Sequence, residues 1–171
     1  MDKALADRIA ANKQKYCRLL NDGNYTDVRF NPQTGALLAI HKKHNFDPTI
    51  GIFGIPRGDY ERISLEVLYE YGKSVILDSE CKESGVKTPE GLLDCKMFDI
   101  KGVEGNGKRN VEYKIYEASN QGVETLVLYF HEESVFSKQR IVDGYSAYMR
   151  NSKSKRVDTL YYIVNKKLHK I

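Results

Sequence analysis

Three carboxylates and one lysine, Glu61, Glu90, Asp99 and Lys101, have the types and spacing that could do chemistry. Asp99 and Lys101 sit one residue apart in the run MFDIK. If that run is a strand, alternate side chains share a face, and a carboxylate and an ammonium project together. Glu90 lies on the other arm of a short hairpin. Pairing residues 89–93 with 97–101 around a turn at 94–96 sets Glu90 beside Asp99. Two adjacent carboxylates repel, and a divalent cation relieves that repulsion. Mg²⁺ (or Mn²⁺) suits the place, because it is hard, takes oxygen ligands and keeps waters and phosphate oxygens in its shell. Lys101 next to such an ion would position or help deprotonate a water, or offset charge building up on a phosphoryl group. Glu61, on the preceding helix, would add a ligand or a water contact. Glu66 competes with it from more than a helical turn away, so one of the two faces the site. Asp94 is the nearest substitute for Glu90 but reads as a turn residue.

Acid-x-Lys is by itself a common feature of solvated strands, and it gains meaning from the elements around it. Apolar positions Leu5, Ile9, Tyr16, Leu19 and Leu20 predict an amphipathic helix over residues 2–20. Asn21-Asp22-Gly23-Asn24 should close it, with Gly23 suited to a left-handed cap. Residues 27–30 and 36–41 read as a hairpin around Asn31-Pro32-Gln33-Thr34-Gly35, and 41–57 as an irregular connection. Asp59 is a natural N-cap for a helix that stops at Gly72. Strand 74–77, a polar loop at 81–88, and the hairpin strands 92–93 and 97–101 follow. After them come helix 111–120, the buried strand ETLVLYF at 124–130, helix 134–150, strand 157–164 and an edge segment at 166–171. Strands alternating with helices in the second half require crossovers and a partly parallel sheet. The expected class is α/β, with α+β the alternative, divided into an extension at 1–45 and a main domain at 46–171.

Other residues invite chemistry less strongly. His41 and His44 are three apart, a spacing that can bind zinc, but no cysteine or third histidine completes a set. They read as loop histidines contacting substrate or backbone. His131 follows a strand and reads as its cap. Residues 102–109 hold three glycines but lack the Gly-Lys-Ser/Thr order of a phosphate loop. Lys108 and Arg109 in this loop could touch a nucleic-acid backbone, as could the basic run Lys153, Lys155 and Arg156 with Arg150 nearby. Cys17, Cys81 and Cys95 match neither a zinc pattern nor a disulfide framework. Hydrophobic residues make up 41% and charged residues 29%, ordinary globular usage, and the net charge of +4 is compatible with a phosphate-bearing partner. No apolar run approaches the roughly 20 residues of a membrane helix, and the charged first residues do not read as a signal peptide. A cytoplasmic protein without membrane contact is expected.

The order helix glutamate, strand, Pro-acid, hairpin, Asp-x-Lys, helix, strand resembles the PD-(D/E)XK nuclease superfamily. The stretches YERISLEVLYEYGKSVIL, SGVKTPEGLLDCKMFDIKG and YEASNQGVETLVLYF resemble one branch more closely. That branch holds the C-terminal tRNA-nuclease domains of contact-dependent growth-inhibition toxins and related domains of phage minor head proteins. The resemblance covers about residues 59–130. It implies a restriction-endonuclease-like mixed sheet, a Mg²⁺-dependent nuclease acting on tRNA or DNA, and delivery within a larger toxin or phage protein. An immunity protein or a phage head protein is the partner it implies. It matches Glu61 to the family's helix glutamate, Asp99 and Lys101 to the acid-x-Lys pair, and Gln121 to a glutamine closing the next helix. Glu90 stands where the family has aspartate and carries its carboxylate one methylene further out, and Gly91 replaces an apolar residue. The alternative is an accessory domain of a phage or mobile element that binds nucleic acid or a partner protein without cutting.

Overall fold

The computed structural model describes residues 2–79, 89–154 and 156–171. Four helices and eight strands alternate as α1 (Lys3–Asn21), β1 (Tyr25–Phe30), β2 (Leu37–His41), α2 (Arg57–Glu70), β3 (Ser74–Leu77), β4 (Gly91–Leu93), β5 (Lys96–Gly102), α3 (Asn110–Asn120), β6 (Thr125–Phe130), α4 (Lys138–Asn151), β7 (Thr159–Val164) and β8 (Lys167–Lys170). All eight strands form one mixed sheet whose spatial order is the chain order. The fold is α/β, as the alternation of periods implies. The expected polar loop at 81–88 lies outside the described residues.

Helical crossovers make β2 and β3, β5 and β6, and β6 and β7 parallel, while the other neighbouring pairs are antiparallel. The β4–β5 turn is Asp94-Cys95 alone, with both residues at positive φ (49° and 70°). That is the backbone of a two-residue hairpin whose twist matches its strands. Asp94 steadies it by accepting from the Ser74 N–H at 3.0 Å and from Lys73 Nζ at 3.0 Å. This is the turn role its neighbours imply.

Period-2 alternation sorts the sheet into two faces. Leu38, Val75, Leu77, Leu93, Phe98, Ile100 and Val127 bury under α2 with Leu65 and Leu68. On the other face, Leu126, Leu128 and Leu160 bury under α3 and α4 with Ile115, Ala118, Ile141 and Tyr148. Leu37 and Ala39 bury on that same side under Leu19 of α1, several strands away. Between these two covered areas lies β5, where Met97 is 49% exposed.

Some boundaries differ from the sequence expectation. Helix α2 starts at Arg57 with Pro56 as N-cap, and Asp59 falls inside the first turn. Proline pre-sets the entry angle, and a carboxylate in the first turn still complements the helix dipole. Gly72, at φ +77°, ends α2, and the Lys73 N–H returns to the Leu68 carbonyl at 3.0 Å, closing the helix as a glycine stop should. Gly23 does not adopt a left-handed cap; α1 ends on extended Asp22, whose N–H bonds back to Arg18. Helix α4 begins at Lys138 rather than 134, because Ser137 caps it by accepting from the Arg140 N–H.

Candidate active site

Strands β2, β3, β5, β6 and β7 all run the same way, so their C-terminal ends share one edge of the sheet. His44 follows β2, Glu61 lies in the second turn of α2, Glu90 precedes β4, and Asp99 and Lys101 occupy β5. The Glu90 N–H donates to the Phe98 carbonyl at 3.0 Å and the Asp78 N–H to the Glu90 carbonyl at 3.0 Å. The hairpin pairing thus continues one residue past Gly91 and sets Glu90 opposite Asp99. β3 stops at Leu77, level with Gly91. At the end of β3, Glu61 from the α2 side and Glu90 both come within reach of His44 Nε2.

Gly91 is required by a close approach. A Cβ there would run into the Ile76 carbonyl oxygen and lie 3.0 Å from Leu77 Cα. A bare backbone lets β3 and β4 close on each other just below the carboxylates, which accounts for glycine where an apolar residue was expected.

The side chains form two linked groups. In the first, His44 Nε2 lies 2.6 Å from Glu61 Oε1 and 3.6 Å from Glu90 Oε2. One potential ligand atom from each of the three falls within 4.8 Å of the others. In the second, Lys101 Nζ lies 2.8 Å from Asp99 Oδ2 and 3.5 Å from Glu117 Oε1 on α3. Asp99 Oδ1 accepts the Ile100 N–H at 2.8 Å. Glu61 (8% exposed) and Asp99 (3%) are buried. Glu90 stands between the two groups. Burial, and then the carboxyls of Glu61 and Asp99 alongside, push it well above the ordinary carboxylate range. For Lys101, burial alone would lower the ammonium, but Asp99, Glu117 and Glu90 outweigh it and raise its pKa.

A cation fits this environment on two counts. Glu90 Oε2 is buried and, among the described residues, has no hydrogen-bond donor, an expensive state for a carboxylate oxygen unless positive charge is supplied. The donor set, two carboxylates and an imidazole, is also one that divalent metals take. His44, Glu61 and Glu90 are the residues that could hold the ion, with Asp99 adjoining and partly committed to Lys101.

Sequence reasoning singled out Glu61, Glu90, Asp99 and Lys101, and the structure brings all four together. It did not give His44 this place. The only available signal was its position just past a strand that feeds a crossover, where α/β sites gather. His41 serves the backbone, its Nδ1 accepting from the Lys43 N–H at 3.1 Å. His131 caps β6 and stacks on Phe53 at 4.6 Å. Glu66 is engaged by Arg29 at 2.6 Å, away from the cluster.

Gln121 is not among the residues brought together. It is the C-cap of α3, one turn beyond Glu117, and Glu117 is the α3 residue that reaches Lys101. Lys108 and Arg109 lie exposed at the same sheet edge as the cluster, with Arg109 held by Glu112 at 2.9 Å and stacked over Tyr113. Lys153 and Arg156 precede β7 and so lie at the opposite edge; Lys155 is outside the described residues. Among the described residues, no helix is long and apolar enough to cross a membrane. Comparisons of the chain with family models, with curated proteins and with solved structures return no match.

Proposed function

We propose that the protein is a divalent-metal-dependent nuclease that hydrolyses phosphodiester bonds in nucleic acid. The observation that carries this reading is the partly buried Glu90 carboxylate, set among Glu61, His44 and Asp99 with an ammonium one side chain away. A divalent ion bound there would supply Lewis-acid polarisation of a phosphoryl oxygen and would acidify a water. The protein's own groups do the rest. Glu61, Glu90 and His44 hold the ion. Asp99 orients Lys101 and keeps it charged. Lys101 then offers a fixed positive charge to a phosphate entering from the sheet edge, where preorganised charge counts most. Because neighbouring carboxylates keep Lys101 protonated, it acts as a charge stabiliser, and it becomes a proton acceptor only if a cation neutralises them first.

Several features support the reading. Helix α2, the meander β3–β4–β5, helix α3 and the parallel strand β6 stand in the order on which the nuclease resemblance rests. Lys108 lies at the same edge and is placed to meet a backbone phosphate. RNA, and tRNA in particular, is favoured over DNA solely from the resemblance to tRNA-cutting toxin domains. A metal-independent mechanism with His44 as base is disfavoured, since its side chain is 1% exposed and its Nε2 is engaged by Glu61.

The test is incubation with pooled tRNA and with plasmid DNA, in Mg²⁺, in Mn²⁺ and in chelator. Cleavage should require the ion. Asp99→Ala and Lys101→Ala should each reduce it by about 10²- to 10³-fold with an unchanged circular dichroism spectrum. Cutting that persists in chelator or in the double variant rejects the mechanism. Failure to cut either substrate, with nucleic acid still bound, favours the accessory-domain alternative.

A further inference from the structure

Of the ligands gathered at the sheet edge, His44 says most about which ion belongs there. Its side chain is 1% exposed, and its ring is fixed on several sides. Phe46 meets it edge-on at 4.8 Å, and Arg62 lies over the far partner, Phe46, at 3.7 Å. Nδ1 faces the Asp78 carbonyl at 3.4 Å while Nε2 points at Glu61 and Glu90. A backbone carbonyl facing one ring nitrogen and carboxylates around the other is the surrounding that orients a metal-ligating histidine. Nε2 and the Glu61 carboxylate oxygen lie 2.6 Å apart, with Glu90 Oε2 3.6 Å from the same nitrogen. One ion could be reached by all three.

We infer that this centre selects a divalent transition ion over Mg²⁺ and that His44 is the selecting residue. The inference rests on reading the cluster as a metal centre and adds the class of ion. Mg²⁺ is hard, prefers oxygen and gains little from imidazole. Mn²⁺ and the later first-row ions accept nitrogen readily, with affinity rising along the series. Two carboxylates alone would leave the choice to availability, and one buried imidazole shifts it.

The experiment measures ion binding by the 171-residue chain without nucleic acid. Thermal stabilisation is titrated with Mn²⁺ alone and with Mg²⁺ alone, on the wild type and on His44→Gln. The wild type should respond to Mn²⁺ at a concentration at least about tenfold below that for Mg²⁺, and His44→Gln should lose most of that ratio. Pulsed electron paramagnetic resonance of Mn²⁺ on the wild type should show coupling to an imidazole nitrogen. This second readout stands even if the variant folds poorly. Equal ratios in wild type and variant, or an Mn²⁺ signal without nitrogen coupling, overturns the inference. The nuclease reading survives that result if cleavage still needs an ion. Absence of any response to either ion defeats both.

Discussion

Glu104 has no place in the chemistry, yet it holds the chemistry in register. It sits just past β5 and accepts from Arg57 Nη2 at 2.8 Å, Tyr60 Oη at 3.1 Å and the Ile52 N–H at 3.3 Å. These contacts tie the 42–56 connection and the start of α2 to the strand that carries Asp99. The hydrogen bonds from Arg57 lower its pKa, and burial opposes them with less effect. Tyr60 is pushed up to about 12, by burial first and then by Glu104. A carboxylate with a depressed native pKa stabilises the fold above its unfolded value and stops doing so as pH falls through the native one. Glu104→Gln should therefore cost about 1–3 kcal/mol at neutral pH, read from urea midpoints. The gap should begin to close near pH 4, about where free glutamates titrate, and vanish at lower pH. An equal gap at pH 3 and pH 7 would show that the ion pairing contributes nothing.

Among the elements, the three-residue strand β4 has the largest consequence for the site. It is just long enough to hydrogen-bond both neighbours, and it stops where Glu61 and Glu90 must meet. Gly91→Ala drives a methyl into the Ile76 carbonyl, so about 1–3 kcal/mol of stability should be lost. The displaced strand should also carry Glu90 out of place and shrink the stabilisation by Mn²⁺. A variant with wild-type stability and wild-type ion response would contradict this packing. Much at this scale was legible in the sequence. The MFDIK run alternates cleanly, the LVLYF of ETLVLYF is a continuous apolar run as a strand buried on both faces should be, and Gly72 ends α2 as expected. Asp59 misled because both N-caps and first turns favour carboxylates, and Pro56, three residues earlier, had the stronger hold on the helix start.

The whole molecule contributes what single elements cannot. His44 lies seventeen positions before Glu61 in a connection with no periodicity, so no local pattern brings it to the cluster. Its place comes from Phe46 packing under Arg62 and from Glu104 anchoring the same connection, contacts that exist only in the assembled fold. Likewise, β2 and β3 are parallel neighbours, so the sheet runs unbroken across residue 45. Leu38, Val75 and Leu77, all fully buried, share one core. A fragment of residues 46–171 should therefore lack a cooperative thermal transition, because it leaves one side of β3 unpaired and opens that core. A sharp melt like that of the full chain would show the first 45 residues to be an appendage. Finally, strands that neighbour one another in space are also neighbours in the chain. Each newly synthesised strand can thus dock on the one that left the ribosome just before it, without waiting for a distant partner. All five clustered residues have been made once β5 emerges, so the centre can assemble during translation, while α4 and the last two strands are still to come.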